Sequence, residues 1–74
     1  MSRLPVVSGG KALGAFNKVG YELDRQKGSH LIVRHRDPPH RRLTIPNHKT
    51  LAKGTLRALL REAGLTTDEF LNLL

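Results

Sequence analysis

The sequence predicts an α+β fold: a three-stranded antiparallel sheet, helices on one face of it, and a short extra helix at the C-terminal end. The prediction rests on period-two alternation of apolar and polar residues in consecutive short segments, and on apolar residues at helical spacing before and after them. With 74 residues only a thin core is affordable, so one sheet covered on one side is the simple solution, and residues 1–74 are expected to form a single domain.

Ser8 is placed to cap a first helix whose apolar positions are Ala12, Leu13, Phe16 and Val19. Gly9, Gly10 and Gly14 weaken that helix, each by up to about 1 kcal/mol relative to Ala. Gly20 is a natural stop. The run YELDRQ, Tyr21 to Gln26, reads as a half-buried strand. Tyr21, Leu23 and Arg25 face one way in it, and Glu22, Asp24 and Gln26 the other. Lys27-Gly28-Ser29 reads as a tight hairpin turn.

A second strand runs from His30 to Arg36, with Leu31, Val33 and His35 on one face and His30, Ile32 and Arg34 on the other. The two prolines of RDPPHR remove ladder donors, which makes that stretch a loop. A third strand, Arg41 to Ile45, puts Leu43 and Ile45 on one face and Thr44 on the other, and Pro46 ends it.

After the polar connection NHKTLAKG, a second helix begins near Lys53. Leu56, Leu59, Leu60 and Ala63 form its apolar stripe. Arg57 and Arg61 lie off the stripe, one turn apart. Gly64 stops the helix and Leu65 makes the accompanying contact. Thr66 and Glu69 then form a capping box for a last short helix, docked by Phe70, Leu71 and Leu74. The stripe and the first helix are expected to cover Leu23, Leu31, Val33, Leu43 and Ile45. By strand parity His30, Ile32, Arg34 and Thr44 then point to an open face.

Charge narrows the functional classes. The chain has 13 Lys plus Arg against 6 Asp plus Glu, a formal net charge of +7. Between Arg25 and Arg61 ten Lys or Arg stand against one acid, Asp37, and Glu62, Asp68 and Glu69 all follow that window. A basic middle of this kind attracts a polyanion, either nucleic acid or an acidic protein. Only Phe16, Tyr21 and Phe70 are aromatic, which argues against base-by-base stacking readout of single strands.

Other classes lack their residues. With no cysteine there is no disulfide and no thiolate zinc site. The four histidines, His30, His35, His40 and His48, show no helical i, i+4 pairing, and His30 and His35 point to opposite faces of one strand. No metal or other cofactor is therefore expected. Ser29 lacks a nucleophile-elbow context, and Ser8 to Gly10 lack the Lys-Ser/Thr of a phosphate loop. No apolar run reaches membrane-spanning length and no signal peptide is evident, so a cytoplasmic location without membrane contact is expected.

Acid–base cleavage of RNA requires little from a protein, because the 2′-hydroxyl supplies the nucleophile. One group accepts its proton, another protonates the leaving 5′-oxygen, and cations hold the phosphorane. A histidine can take either proton role near neutral pH. His30, with Arg25, Lys27 and Arg34 around it, has these ingredients, although a histidine at a strand start is more often only a polar residue.

Three stretches carry a resemblance. GYELDRQKGSHLIVRH resembles the glycine-aromatic, Arg, Gly-Ser-His pattern of HicA-type toxins, also called the YcfA-like family. TIPNHKTLAKGTLRALLREAGLT is similar to the second half of that pattern, and LPVVSGGKAL to its opening. The resemblance implies a double-stranded-RNA-binding-like α-β-β-β-α domain. It implies a ribosome-independent mRNA interferase, the toxin of a type II toxin–antitoxin pair, with mRNA as substrate and a larger HicB-type antitoxin that covers the active site. The family's catalytic histidine falls on His30, preceded by Gly28 and Ser29. RNA contacts are expected from Arg25, Lys27, Ser29, Arg34, His48, Lys53 and Arg57. The glycine-rich first helix departs from relatives with better helix formers. The competing classes are a non-catalytic RNA-binding module of the same fold and a nucleoid- or ribosome-associated structural protein.

Overall fold

The computed structural model describes residues 3–74. Its elements are α1 (Gly9–Asn17), β1 (Tyr21–Lys27), β2 (His30–His35), β3 (Arg42–Pro46), α2 (Lys53–Ala63) and α3 (Thr67–Leu73). The sheet is antiparallel in the order β1-β2-β3. This is the expected α+β architecture, with each strand shifted by a residue or so at its ends.

α1 starts as the capping chemistry dictates: the Lys11 N–H donates to the Ser8 hydroxyl at 3.1 Å. It ends at Asn17, earlier than its apolar pattern suggests, and Lys18–Gly20 form a turn. Gly20 takes φ +102°, a conformation that a side chain would strain. Gly9 is a packing requirement as well as a weak helix former. A Cβ there would run into the Pro46 carbonyl, so its absence lets α1 start directly against the end of β3.

α2 ends at Gly64 in the left-handed conformation, φ +72°. Its Leu56, Leu59 and Leu60 are buried, and Ala63 is half-buried. The capping box of α3 is complete, with Thr66 N–H donating to Glu69 Oε1 at 2.8 Å and Glu69 N–H to Thr66 Oγ1 at 3.1 Å. Leu74 is exposed, and Leu73 packs against the core in its place.

The core joins Leu31, Val33, Leu43 and Ile45 of the sheet to both long helices. Phe16 lies at its centre, edge-on to Tyr21 at 5.9 Å and tilted against Phe70 at 5.6 Å. Val7 and Leu51, both outside regular elements, are also buried. They meet because the Leu51 N–H donates to the Val7 carbonyl, which pins the N-terminal segment against the β3–α2 connection.

Two expectations about β1 need correction. Leu23 is not a core residue; it is 49% exposed. It pairs with buried Val33; α2 packs on β3 and α1 on β1, but on β1 it is Tyr21, edge-on to Phe16, that is buried and not Leu23. Nor does Arg25 share the face of Tyr21 and Leu23. The register jumps from Leu23↔Val33 to Arg25↔Ile32, leaving Asp24 as the extra residue of a β-bulge. The bulge reverses the parity after it, so Arg25 and Lys27 turn to the open face and Gln26 to the helix side.

Candidate functional site

The open face of the sheet consists of three cross-strand rows. Glu22, Arg34 and Arg42 form the first, Arg25, Ile32 and Thr44 the second, and Lys27, His30 and Pro46 the third. Directly paired residues have Cα atoms about 4.5–5.5 Å apart. Four cations and one histidine are thereby gathered on a single surface. Glu22 lies opposite Arg34, four positions along the strand from His30 and so about 13 Å away.

His30 is the first residue of β2 and is exposed. The Gly28–Ser29 turn, with Gly28 at φ +59°, brings it opposite Lys27. Its imidazole makes no hydrogen bond among the described residues. Both ring nitrogens therefore remain available to a ligand.

The other histidines divide by position. His35 is structural. Its Nδ1 accepts the Asp37 N–H at 3.0 Å, so in the neutral ring Nε2 carries the proton and donates to the Val19 carbonyl at 2.9 Å. The ring also stands edge-on to Tyr21 at 4.9 Å. His40, at φ +60°, donates from Nδ1 to the His35 carbonyl at 3.1 Å. These two rings organise the Pro38–Pro39 loop. His48 is exposed in the β3–α2 connection, where its carbonyl accepts the Gly9 N–H at 2.9 Å. The preceding Asn47 donates its N–H to the Ser29 carbonyl at 2.6 Å, which ties this connection to the His30 turn.

The expected RNA-contact residues therefore fall into two groups. Arg25, Lys27 and Arg34 share the open face with His30, and Ser29 and His48 lie at its turn end. Lys53 and Arg57 belong elsewhere: with Arg3, Leu4, Val6 and Thr67 they line a separate groove of about 570 Å³ beside α2. Arg42 belongs to the open face and was missed. The alternation of Leu43 and Ile45 around Thr44 was sufficient to place it, because Arg42 and Thr44 share parity.

A family model, the HicA toxin of bacterial toxin–antitoxin systems, matches residues 10–65. The chain belongs to the HicA toxin family. No curated protein matches it. The family match covers α1, the sheet and α2, the elements that carry every residue of the open face, and membership implies an antitoxin partner. In this HicA-family chain no helix among the described residues is long and apolar enough to cross a membrane.

Proposed function

We propose that the chain is a type II toxin that cleaves mRNA independently of the ribosome, with His30 as its catalytic residue. The observation that carries this is an exposed histidine with both ring nitrogens free, set in a row with Lys27 on a face that also carries Arg25, Arg34 and Arg42. The cations hold the RNA backbone. The 2′-hydroxyl oxygen attacks the adjacent phosphorus and the bond to the 5′-oxygen breaks, leaving a cyclic phosphate and a 5′-hydroxyl. The His30 imidazole takes the proton of the attacking hydroxyl or supplies the one that the departing oxygen needs. Lys27 stabilises the charge that builds on the phosphorane. A HicB-type antitoxin covers this face while the toxin is held inactive, and acidic groups on it would speed association with so basic a surface.

The test is RNA cleavage by purified wild type and His30→Ala, with thermal melts of both. An exposed side chain without partners contributes little to stability, so the melts are expected to coincide. Cleavage is expected to fall by about 10²–10⁴-fold, the usual effect of losing a positioned acid or base. Equal cleavage by two folded proteins would make His30 an ordinary strand residue and remove it from the mechanism, whereas no cleavage by either would leave RNA binding without catalysis as the function of this surface.

A further inference from the structure

The sheet has two outer strands, and they differ. β1 is interrupted by the bulge at Asp24, which breaks its run of outward amides. β3 pairs with β2 through Arg42–Pro46 without irregularity. In an antiparallel pair, residues alternate between those whose N–H and C=O face the neighbouring strand and those that face away. Two bonds fix the phase here: His35 N–H to the Arg41 carbonyl, and Asn47 N–H to the Ser29 carbonyl. Positions 41, 43, 45 and 47 are thus turned toward β2. The backbone groups of Arg42 and Thr44 point outward and have no backbone partner among the described residues. Pro46 has no N–H to offer, and Gly9 closes against its carbonyl.

Beside this edge lies a groove of about 540 Å³, lined chiefly by Arg42, Thr44, Gly54, Thr55, Ala58 and Glu62. α2 returns antiparallel to β3, and the Arg41 guanidinium donates to the Glu62 carbonyl at 2.9 Å at its far end. From Gly54 to Glu62 the helix wall runs for about 12 Å, the length of a strand of about four residues. Small side chains at Gly54, Thr55 and Ala58 leave that wall open.

We propose that the β3 edge receives an extended segment of the antitoxin, which adds a fourth strand to the sheet. The proposal rests on the toxin–antitoxin reading above. Charge selects this occupant over a second copy of the chain. Each copy carries +7, and pairing β3 with itself would oppose edges that both bear Arg41 and Arg42. A partner segment with acidic side chains on its outer face would instead meet Arg42 and, beyond it, Arg34. One strand spacing, about 5 Å, separates β3 from the strand that carries His30, so a partner anchored at this edge can reach over the site.

The experiment is backbone amide exchange on the free chain and on its purified complex with a HicB-type antitoxin. The Arg42 and Thr44 amides are expected to exchange at least ~10-fold more slowly in the complex, with Leu43 and Ile45, already bonded to β2, unchanged. Thr44→Pro removes an outward donor without removing a β2–β3 bond. It is expected to raise the Kd of the complex by at least ~10-fold while the free chain keeps its fold by circular dichroism. A complex that blocks cleavage but leaves Arg42 and Thr44 unprotected would overturn the edge proposal and leave the toxin–antitoxin reading intact. Failure to form any complex would remove both. Protection that grows with the concentration of the chain alone would assign the edge to a second copy.

Discussion

Lys27 and His30 are direct cross-strand partners, joined by the two-residue turn Gly28–Ser29. A cation and a potential proton carrier are thereby held side by side at one end of the open face by hairpin geometry. Glu22 lies at the other end of that face, opposite Arg34.

RNA binding at this face is expected to be strongly salt-dependent. Each phosphate neutralised on a single strand contributes a slope of about −0.7 in log K against log salt. Replacing Lys27 and Arg34 together by Gln is expected to flatten the slope by about 1.4, measured by binding titrations across a salt series. Affinity that is the same at low and high salt would rule out phosphate contacts as the basis of binding.

The bulge leads to an unusual deletion experiment. Asp24 has no cross-strand partner, so removing it closes the register without moving Leu23 or Arg25 from their faces. Deleting Asp24 is expected to preserve the fold and RNA affinity. Deleting Arg25 instead is expected to bring Asp24 opposite Ile32, replacing a cation of the open face by a carboxylate and weakening binding. Circular dichroism and RNA titration of the two deletions would separate them; equal loss in both would contradict the register.

Gly20 is constrained twice. Its φ is +102°, and a Cβ would sit 2.5 Å from the His35 Nε2. Gly20→Ala is expected to cost about 1–3 kcal/mol in backbone strain, with the ring collision adding to it. In a double-mutant cycle read by denaturant melts, His35→Ala should relieve the collision but not the strain. Strict additivity of the two substitutions would show that the ring is not what crowds this position.

The family match ends at residue 65, yet Phe70 in α3 is fully buried against Phe16. Phe70→Ala is expected to cost about 3–5 kcal/mol. That is a large part of the ~5–15 kcal/mol that holds a typical domain together. A chain cut after Leu65 should therefore melt far below the full chain. Equal melting temperatures would mean that α3 is dispensable to the core.

What the sequence determined by itself was local. Ser8, Gly64 and the Thr66–Glu69 capping box mark helix ends because their chemistry acts over three or four residues. The alternation of Leu31, Val33, Leu43 and Ile45 sorts two strands into faces because the side-chain period is two. That was enough to turn His30 outward. The tertiary structure decided what depends on partners distant in the chain. Asp24 bulges only in relation to β2, and this rather than strand parity brings Arg25 and Lys27 beside His30. Lys53 and Arg57 left the site because α2 packs behind the sheet. Val7 and Leu51 are buried by a bond between two irregular segments, which no periodicity announces. Leu23 stayed exposed because α1 covers β1 at Tyr21 and α2 packs on the opposite edge.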